Sequence, residues 1–311
     1  MISRWKEYIH RDYIPGDTYR YVFQKNLDIQ TSYVFYRFAI CLGNTVLLVV
    51  VLFSLFLPCP PDTRKEYTDC LSSWSRLYTA WPFYLSNWGL SVNFVQSVLG
   101  FALTIRAYWS QRCSKKRNVT PPFLQVKNEH KLTTATGLFW SLSTASTVFA
   151  ILIVLFYWTT VFDYSKKREW AMVINICCGH LFNLLVMVID KCIVAYPVMV
   201  THIFILLILH VCYGATNGIY YLMGGLDKYK EKHFLNRYMN WEEPLNCLLS
   251  SSLLMILSVL LIEPIIMGDT YKHKKFRPQQ ILDAYGNTTD KVIKKNESIS
   301  SRLHLPGTAS T

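Results

Sequence analysis

The chain has 311 residues, of which 51% are hydrophobic and 17% are charged, and its formal net charge at neutral pH is +12. Soluble domains usually carry about 25% charged residues, so this composition excludes an ordinary water-soluble fold. The charged residues are clustered and leave six long uncharged runs. Each is about as long as the ~20 residues that a helix needs to cross a bilayer, and together they cover 38–57, 77–105, 132–162, 170–189, 192–226 and 244–262.

These runs predict an all-α integral membrane protein, because backbone groups within lipid are satisfied only inside helices or closed barrels. We expect a six-transmembrane-helix bundle over residues 37–267, preceded by a cytoplasmic arm (1–36) and followed by a basic, disordered tail (268–311). The PCPPD segment at 58–62 ends the first helix, since proline cannot continue one. The predicted helices span 37–57, 81–105, 134–160, 170–192, 197–223 and 244–267.

Lysine and arginine are unevenly divided between the segments that connect the predicted helices. If the N-terminus is inside the cell, 22 of the 32 lie on the cytoplasmic side and 10 lie outside. The positive-inside rule therefore places both termini in the cytoplasm. We interpret the basic segment RAYWSQRCSKKR (106–117) as a loop that lies against anionic headgroups, and we expect no nucleic-acid partner.

The nine cysteines give no ligand spacing of the CxxC or HExxH type, so the sequence predicts no metal site and no cofactor. Most of them fall within predicted helices, where small buried residues are expected. Cys59 and Cys70 both lie in the first outer loop. Because that compartment is oxidising, we predict that they form a disulfide.

Polar residues interrupt the fourth predicted helix in the stretch CCGHLFNLLVMVID (177–190). His180, Asn183 and Asp190 fall within an arc of about 80° on that helix. An ionisable residue deep in a membrane span is a functional candidate by default, although such residues also join helices through hydrogen bonds. Both interpretations stay open for His180 and for His210 in the fifth helix. We expect His180 to point into the bundle and to make a hydrogen bond, since an unmet polar group in hydrocarbon costs several kcal/mol.

The charged residues at the inner end of the fourth helix have a simpler interpretation. Asp190 is followed directly by Lys191, which indicates an interfacial ion pair. For the histidines, two chemistries are available: activation of a hydroxyl nucleophile by a general base and proton relay in a transporter. The chain has neither a G-x-S-x-G motif nor a glycine-rich phosphate loop, so soluble-hydrolase and nucleotide-driven mechanisms find no support.

Five short motifs follow one another along the chain: YRFAI (36–40), YLSNWG (84–89), HLFNLLVMVID (180–190), IYYLMGG (219–225) and RYMNWEEP (237–244). In their order and spacing the chain resembles the rolling stone-like family of multi-pass membrane proteins, over roughly residues 33–265. Rolling stone is associated with myoblast fusion in the fly embryo. The resemblance therefore implies a plasma-membrane protein that acts in cell–cell fusion, with membrane-protein partners at cell contacts.

The chain also resembles, more distantly, the androgen-induced membrane proteins that hydrolyse fatty-acid esters of hydroxy fatty acids. That family has six helices and is described as using an intramembrane threonine and histidine. The resemblance implies Ser86 as nucleophile, in place of threonine, and His180 as base. The residues expected to support such a pair are Asn183, His210 and Asn217.

Three functions follow, in order of preference. The first is a plasma-membrane role in cell fusion or adhesion, and the second is an intramembrane lipid-ester hydrolase with a Ser/His pair. The third is a small transporter or channel, for which the sequence has no discontinuous helix pair or inverted repeat. Membrane lipids are the expected partners in all three, and the sequence leaves the oligomeric state open.

Overall fold

The computed structural model describes residues 21, 28–54, 81–117, 134–158, 177–225 and 239–276. Short turns precede three of the helices: 3₁₀ turns at Trp81–Phe83 and Val200–His202 and a π-helical turn at Cys177–Phe182. One isolated β-bridge joins Tyr21 to Val194. The described residues form six α-helices, α1 (Thr31–Ser54), α2 (Leu85–Lys116), α3 (Thr134–Phe156), α4 (Asn183–Ile193), α5 (Ile203–Leu222) and α6 (Pro244–Phe276).

Five of these helices are long and apolar enough to cross a membrane: α1, α2, α3, α6, and α5 together with the turn before it. The prediction of an all-α integral membrane protein is therefore confirmed. The fourth predicted span began at residue 170, and the structure describes that segment only from Cys177 onward. A sixth crossing stays a prediction.

Helices α1 and α2 run in opposite directions. In the α1–α2 pair, the Thr31 hydroxyl lies 3.0 Å from the Tyr108 hydroxyl. Two turns or more further along α1, Asn44 bonds back to Asn93, which is much nearer the start of α2. The partners thus advance along α1 as they recede along α2, so the two helices are antiparallel.

The same geometry holds between α2 and α3, where glycines bring the helices close together. A Cβ at Gly89 would collide with Ile153 near the end of α3. A Cβ at Gly100 would lie 2.5 Å from the Phe139 ring near its start. Because glycine has no side chain to separate the two helices, their backbones can approach closely, which favours packing by van der Waals contact within a bilayer.

Helix α3 lies at the centre of the bundle and packs against α2, α4, α5 and α6. In the most apolar 18-residue stretch of α3, 72% of the residues are buried, which is the highest share among the five long helices. The cause is visible in the sequence, since small residues fill the middle of α3 and let neighbours approach from several sides. The continuously buried stretch is Leu142, Ser143, Thr144, Ala145, Ser146, Thr147, Val148, Phe149 and Ala150.

Helices α5 and α6 instead expose large apolar side chains along their outer faces. Phe204 and Val211 are exposed on α5, and Leu249 and Leu253 are exposed on α6. Soluble monomers rarely expose contiguous apolar surface of this extent. We conclude that these faces contact lipid.

The structure corrects the interpretation of 106–117 as a loop, because α2 continues through this basic segment to Lys116. The segment contains Ala, Gln, Arg and Lys, which favour helix, and contains neither proline nor glycine. Other helix ends also differ from the sequence prediction: α2 begins at Leu85 rather than at 81, and α5 begins at Ile203 rather than at 197. Helix α1 already begins at Thr31, and α6 continues to Phe276 although Pro264 lies inside it.

Candidate functional site

A buried ion pair joins α1 to α4. The Arg37 Nη1 atom donates to Asp190 Oδ1 at 2.9 Å, and both side chains are almost fully enclosed. The Tyr36 hydroxyl donates to the same carboxylate oxygen at 2.8 Å. The Tyr196 hydroxyl donates to the other oxygen at 2.8 Å. We call these residues, together with Tyr33, the Arg37–Asp190 cluster.

Two further guanidinium protons of Arg37 are also used. Arg37 Nε and Nη2 both donate to the Tyr33 hydroxyl, at 3.0 and 2.8 Å. The rings of Tyr33 and Phe139 lie 5.2 and 5.4 Å from the guanidinium carbon, within the range of cation–π attraction. The pair thus joins α1 to α4, and loss of either charge would leave the other buried without its partner.

This arrangement corrects the expectation that Asp190 pairs with Lys191. The carboxylate of Asp190 turns to Arg37, whereas the Lys191 ammonium lies 4.7 Å from the centre of the Tyr196 ring. Consecutive residues on a helix point about 100° apart and do not face each other. Adjacency in the chain was therefore a poor guide to the partner.

A second cluster consists of amide side chains from three helices. Asn93 of α2 donates to Asn44 of α1 at 3.1 Å. It also donates to the side-chain oxygen of Asn183 of α4 at 2.6 Å. All three side chains are buried. Asn183, one of the predicted supporting residues, thus joins α4 to α2 and α1.

Three polar groups near this amide cluster have no hydrogen-bond partner in the described part of the chain. Gln96 is fully buried, with both amide atoms unpartnered. The Ser146 hydroxyl and the Asn183 side-chain nitrogen are unpartnered as well. Because α2 and α3 are antiparallel, with Gly100 level with Phe139, Gln96 and Ser146 lie at similar depth. Buried polar groups of this kind are commonly met by internal water.

A serine–histidine pair lies between α5 and α6. The Ser258 hydroxyl is 3.0 Å from His210 Nε2, and Ser258 is fully buried. The other ring nitrogen, Nδ1, lies 2.9 Å from the Leu206 carbonyl oxygen. The ring stacks on Phe149 of α3 with 5.0 Å between ring centres and 10° between planes.

The bond to the Leu206 carbonyl determines which nitrogen of His210 carries the proton. A carbonyl only accepts hydrogen bonds, so Nδ1 must be the donor. In the neutral ring Nε2 is then unprotonated and faces the Ser258 hydroxyl as an acceptor. This is the orientation that a general base requires toward a hydroxyl nucleophile, with a backbone carbonyl fixing the tautomer. The single proton of the Ser258 hydroxyl has a second acceptor, the Leu254 carbonyl oxygen of α6, at 2.7 Å.

A small cavity of about 20 Å³ adjoins the serine–histidine pair and is lined by His210, Tyr213 and Met239, among other residues. A water molecule needs roughly 10–15 Å³ by this measure, so the cavity admits one. Gly214 is also part of its lining, and no atom lies within 4 Å of the place where a Cβ would stand.

A second histidine–hydroxyl contact occurs nearer the start of α5. His202 Nδ1 lies 2.7 Å from the Thr144 hydroxyl of α3 and 3.4 Å from the Met199 backbone nitrogen. His202 is 1% exposed, and its Nε2 atom has no partner in the described residues. This contact fixes the start of α5 against the central helix.

The two predicted catalytic residues, His180 and Ser86, lie in the turn before α4 and at the start of α2. His180 lies in the π-helical turn before α4, and its ring stacks on Tyr157 at 4.0 Å between centres. Its Nδ1 atom is buried and has no hydrogen-bond partner in the described residues, so the expected bond is not found at that nitrogen. Ser86 lies in the first turn of α2, and among the described residues no hydrogen bond joins it to His180.

The last predicted supporting residue, Asn217, anchors the start of α2. Its side-chain nitrogen donates to the Phe83 carbonyl at 3.3 Å and to the Tyr213 carbonyl at 3.2 Å. Cys59 and Cys70 lie outside the described residues, as do most of the N-terminal arm and the tail beyond 276. Among the residues that are described, no three side chains of metal-binding type come together.

Two residues that matter here were missed in the sequence. Arg37 lies immediately before the first uncharged run. Charged residues are common at a membrane boundary, so this position gave no reason to expect a buried ion pair. Ser258 is a lone hydroxyl in an apolar stretch of α6, which is also how a serine bonded only to its own helix looks. Seven positions before it, at two helical turns, Ser251 marks the same face, and this was the available signal.

The fold and these clusters define a helical integral membrane protein with an internally bonded polar interior. A sequence model of the family described as "Protein rolling stone" matches residues 76–282, about two thirds of the chain. The chain belongs to the rolling stone family. Protein rolling stone of Drosophila melanogaster is 23% identical over 169 residues, which are 54% of this chain and 58% of the fly protein. The chain thus spans somewhat over half the length of this curated relative. No solved structure matches the chain.

Proposed function

We propose that this protein acts at the plasma membrane in cell–cell fusion or adhesion. The observation that carries the proposal is membership of the rolling stone family over residues 76–282. The interior of the bundle supports it in a second way. The buried charges of Arg37 and Asp190 bond to each other and to tyrosines, which suits a rigid scaffold better than a proton relay.

The same proposal includes a topology. Residues 170–192 supply the sixth crossing, and both termini lie in the cytoplasm, as the distribution of Lys and Arg favours. The segments at 58–76, 163–169 and 227–243 would then face the neighbouring cell. Membrane-protein partners at the contact would recognise these outer segments.

The test is a content-mixing assay between two populations of cultured myoblasts, each carrying half of a split reporter. Cells that lack the protein should fuse less, and re-expression should restore mixing. Variants with residues 227–238 replaced by a Gly/Ser linker, which keeps the buried Met239 and Asn240, should reach the surface but fail to restore fusion. Arg106→Gln, an exposed change on α2, is the matched control and should behave as wild type. Full fusion without the protein, or its retention inside the cell by surface biotinylation, would contradict the proposal.

A second function, intramembrane hydrolysis of a lipid ester, is favoured by one specific observation. Ser258 and His210 are in hydrogen-bond contact, with the unprotonated Nε2 toward the hydroxyl. In this reaction the Ser258 oxygen attacks the ester carbonyl carbon while its proton passes to Nε2. The leaving alcohol takes that proton, and an acyl-serine remains. Water then gives a proton to Nε2 of His210 and attacks the acyl carbon. As the bond between that carbon and the Ser258 oxygen breaks, the serine oxygen takes the proton from His210 and the fatty acid is released.

The surroundings of the pair define what such a reaction requires. The adjacent cavity holds one water, which is enough for the second step but not for a lipid. A substrate would have to enter from the bilayer between α5 and α6. Gly214 lies one turn after His210, and its open Cβ position offers the least obstructed approach.

Two serine–histidine pairs are candidates for the catalytic residues of a hydrolase, Ser258 with His210 and Ser86 with His180. One assay distinguishes them. Purified protein in lipid nanodiscs is incubated with branched fatty-acid esters, and released fatty acid is measured. Ser258→Ala and His210→Phe should abolish turnover if the contact pair is catalytic. Loss in Ser86→Ala and His180→Phe would instead favour the pair predicted from the sequence. Ser252→Ala, an exposed serine on α6, is the control, and an inert wild type across the ester series would remove the hydrolase.

A further inference from the structure

An open groove of about 660 Å³ lies where the end of α2 meets the residues that lead into α1. This volume is within the range of about 300–1,000 Å³ that is usual for small-ligand sites. The groove lies outside the clusters described above. Polar and charged side chains line most of it, among them Asp28, Thr31, Tyr108, Arg112, Lys115 and Lys116.

The charges in the groove favour an anion. Three cations, Arg112, Lys115 and Lys116, line it together with one carboxylate, Asp28. Lys115 pairs with Asp28 at 2.7 Å, and both side chains are about half exposed. Because Asp28 neutralises one of the three cations, a net positive charge remains, carried by Arg112 and Lys116.

The guanidinium of Arg112 is held in place rather than free to rotate. Its Nε and Nη2 atoms donate to the Tyr108 hydroxyl at 3.1 and 2.5 Å. The Tyr108 hydroxyl is in turn 3.0 Å from the Thr31 hydroxyl. The guanidinium thus keeps the Nη1 protons for another acceptor, and a planar, fixed guanidinium is well suited to phosphate.

The groove lies at and just beyond the depth of the lipid headgroups. The uncharged part of α2 ends at Ile105 and the exposed Trp109 follows, a residue type that prefers the membrane interface. At 1.5 Å per residue, Arg112 lies roughly 10 Å and Lys116 roughly 16 Å beyond Ile105. The headgroup layer is about 5–8 Å thick on each side, so Lys116 lies beyond the phosphates of ordinary phospholipids.

We propose that this groove binds the headgroup of a lipid that carries more than one phosphate, in the cytoplasmic leaflet. The phosphate next to the glycerol lies level with Tyr108, toward which the Arg112 guanidinium points back along α2. A further phosphate on the headgroup, which projects into water, reaches Lys115 and Lys116. The site rests on the proposed cytoplasmic orientation of this end of α2.

The experiment uses the full chain purified in a non-ionic detergent, where both ends of the bundle are accessible. Binding of short-chain phosphatidylinositol 4,5-bisphosphate, of phosphatidylserine and of free inositol trisphosphate is measured by native mass spectrometry. The double variant R112Q/K116Q should weaken binding of the bisphosphate lipid by about tenfold or more, since it removes charge-assisted hydrogen bonds. D28N should tighten it, because the competing carboxylate is gone. R106Q, an exposed cation of α2 outside the groove, is the matched control and should stay within about twofold of wild type.

The three probes separate the alternatives. Equal binding of phosphatidylserine, or an equal loss in R106Q, would reduce the groove to diffuse charge attraction and overturn the proposal. Equally tight binding of the free trisphosphate would make the ligand a soluble one and overturn the lipid assignment. Arg106, Arg112 and Lys116 are exposed and the Asp28 side chain is about half exposed, so folding is preserved. Binding is read without cells, so failure here leaves the fusion proposal standing, and the reverse also holds.

Discussion

Arg37 and Asp190 are separated by 153 positions in the chain and meet as a buried ion pair between α1 and α4. Each charge is almost fully enclosed, and tyrosine hydroxyls complete the bonding of both. The pair therefore fixes the relative position of two helices that lie far apart in the sequence. Its energetic importance depends on both members being present, because either one alone would leave a buried charge without its partner.

The first prediction concerns this pair. Asp190→Asn should destabilise the protein by about 3–5 kcal/mol, because Arg37 is left as an uncompensated buried charge. The measurement is thermal unfolding in detergent, followed by the loss of monodisperse protein. The double variant Arg37→Met/Asp190→Leu should recover much of the loss. Lys115→Ala, which breaks an exposed pair, should cost less than about 1 kcal/mol. If Asp190→Asn costs no more than Lys115→Ala, the pair is not what joins α1 to α4.

The second prediction concerns the close contact of α2 and α3. Gly100→Ala should destabilise by about 1–3 kcal/mol, because its Cβ would lie 2.5 Å from the Phe139 ring. Gly43→Ala is the matched control on α1, since no atom lies within 4 Å of its Cβ position. That change should stabilise by roughly 0.5–1 kcal/mol, as alanine favours helix. Similar melting temperatures for the two variants would mean that α2 and α3 are further apart.

The sequence predicted the helices better than it predicted their partners. Uncharged runs and proline positions gave helices that overlap all six helices in the described residues, and α3 and α6 begin at the predicted residues, 134 and 244. Helix ends outside the apolar core were less accurate, because polar residues such as those at 106–116 continue a helix in water as readily as they form a loop.

The candidate site shows why partners are harder to predict. Helical periodicity gave the polar face of α5 and so identified His210, but it could not identify Ser258 on another helix. Which hydroxyl meets a histidine depends on how helices are rotated and shifted against one another. The rotation and shift of the helices are decided by packing contacts between them, such as that of Gly100 against Phe139, and not by the local sequence of either helix.

The third prediction concerns topology. The chain has three N-x-S/T sequons, at Asn118, Asn287 and Asn296, and all three lie outside the described residues. The charge distribution places each of them on the cytoplasmic side, so none should carry a glycan. Endoglycosidase treatment of protein from mammalian cells should leave its gel mobility unchanged. A shift that disappears in one sequon variant would reverse the orientation of that segment.

The fourth prediction concerns the first outer segment. Cys59 and Cys70 should form a disulfide, which by the chain-entropy model contributes about 3 kcal/mol for a loop of this size. Peptide mass spectrometry without reduction should recover the linked pair from surface protein. Cys113, which is an exposed free thiol in the structure, serves as the alkylation control. Complete alkylation of Cys59 and Cys70 under the same conditions would show that they do not pair.

The last prediction compares His180, in the turn before α4, with His210 of α5. His180→Phe keeps an aromatic ring against Tyr157 and removes a buried Nδ1 that has no partner in the described residues. It should therefore leave the stability unchanged or raise it, since an unsatisfied buried group costs about 1–3 kcal/mol.

His210→Phe removes bonds to Ser258 and to the Leu206 carbonyl, and it should lower the stability by roughly 1–3 kcal/mol. Thermal unfolding of the two variants in the same detergent tests the contrast directly. If His180→Phe is the more destabilising of the two, then Nδ1 of His180 has a partner that matters for the fold. The polar stripe of α4 would then be bonded at His180 as well as at Asn183 and Asp190. The result expected from the structure is the opposite one, because His210 ties α5 to α6 through Ser258, whereas the described contact of His180 is the stacking of its ring on Tyr157.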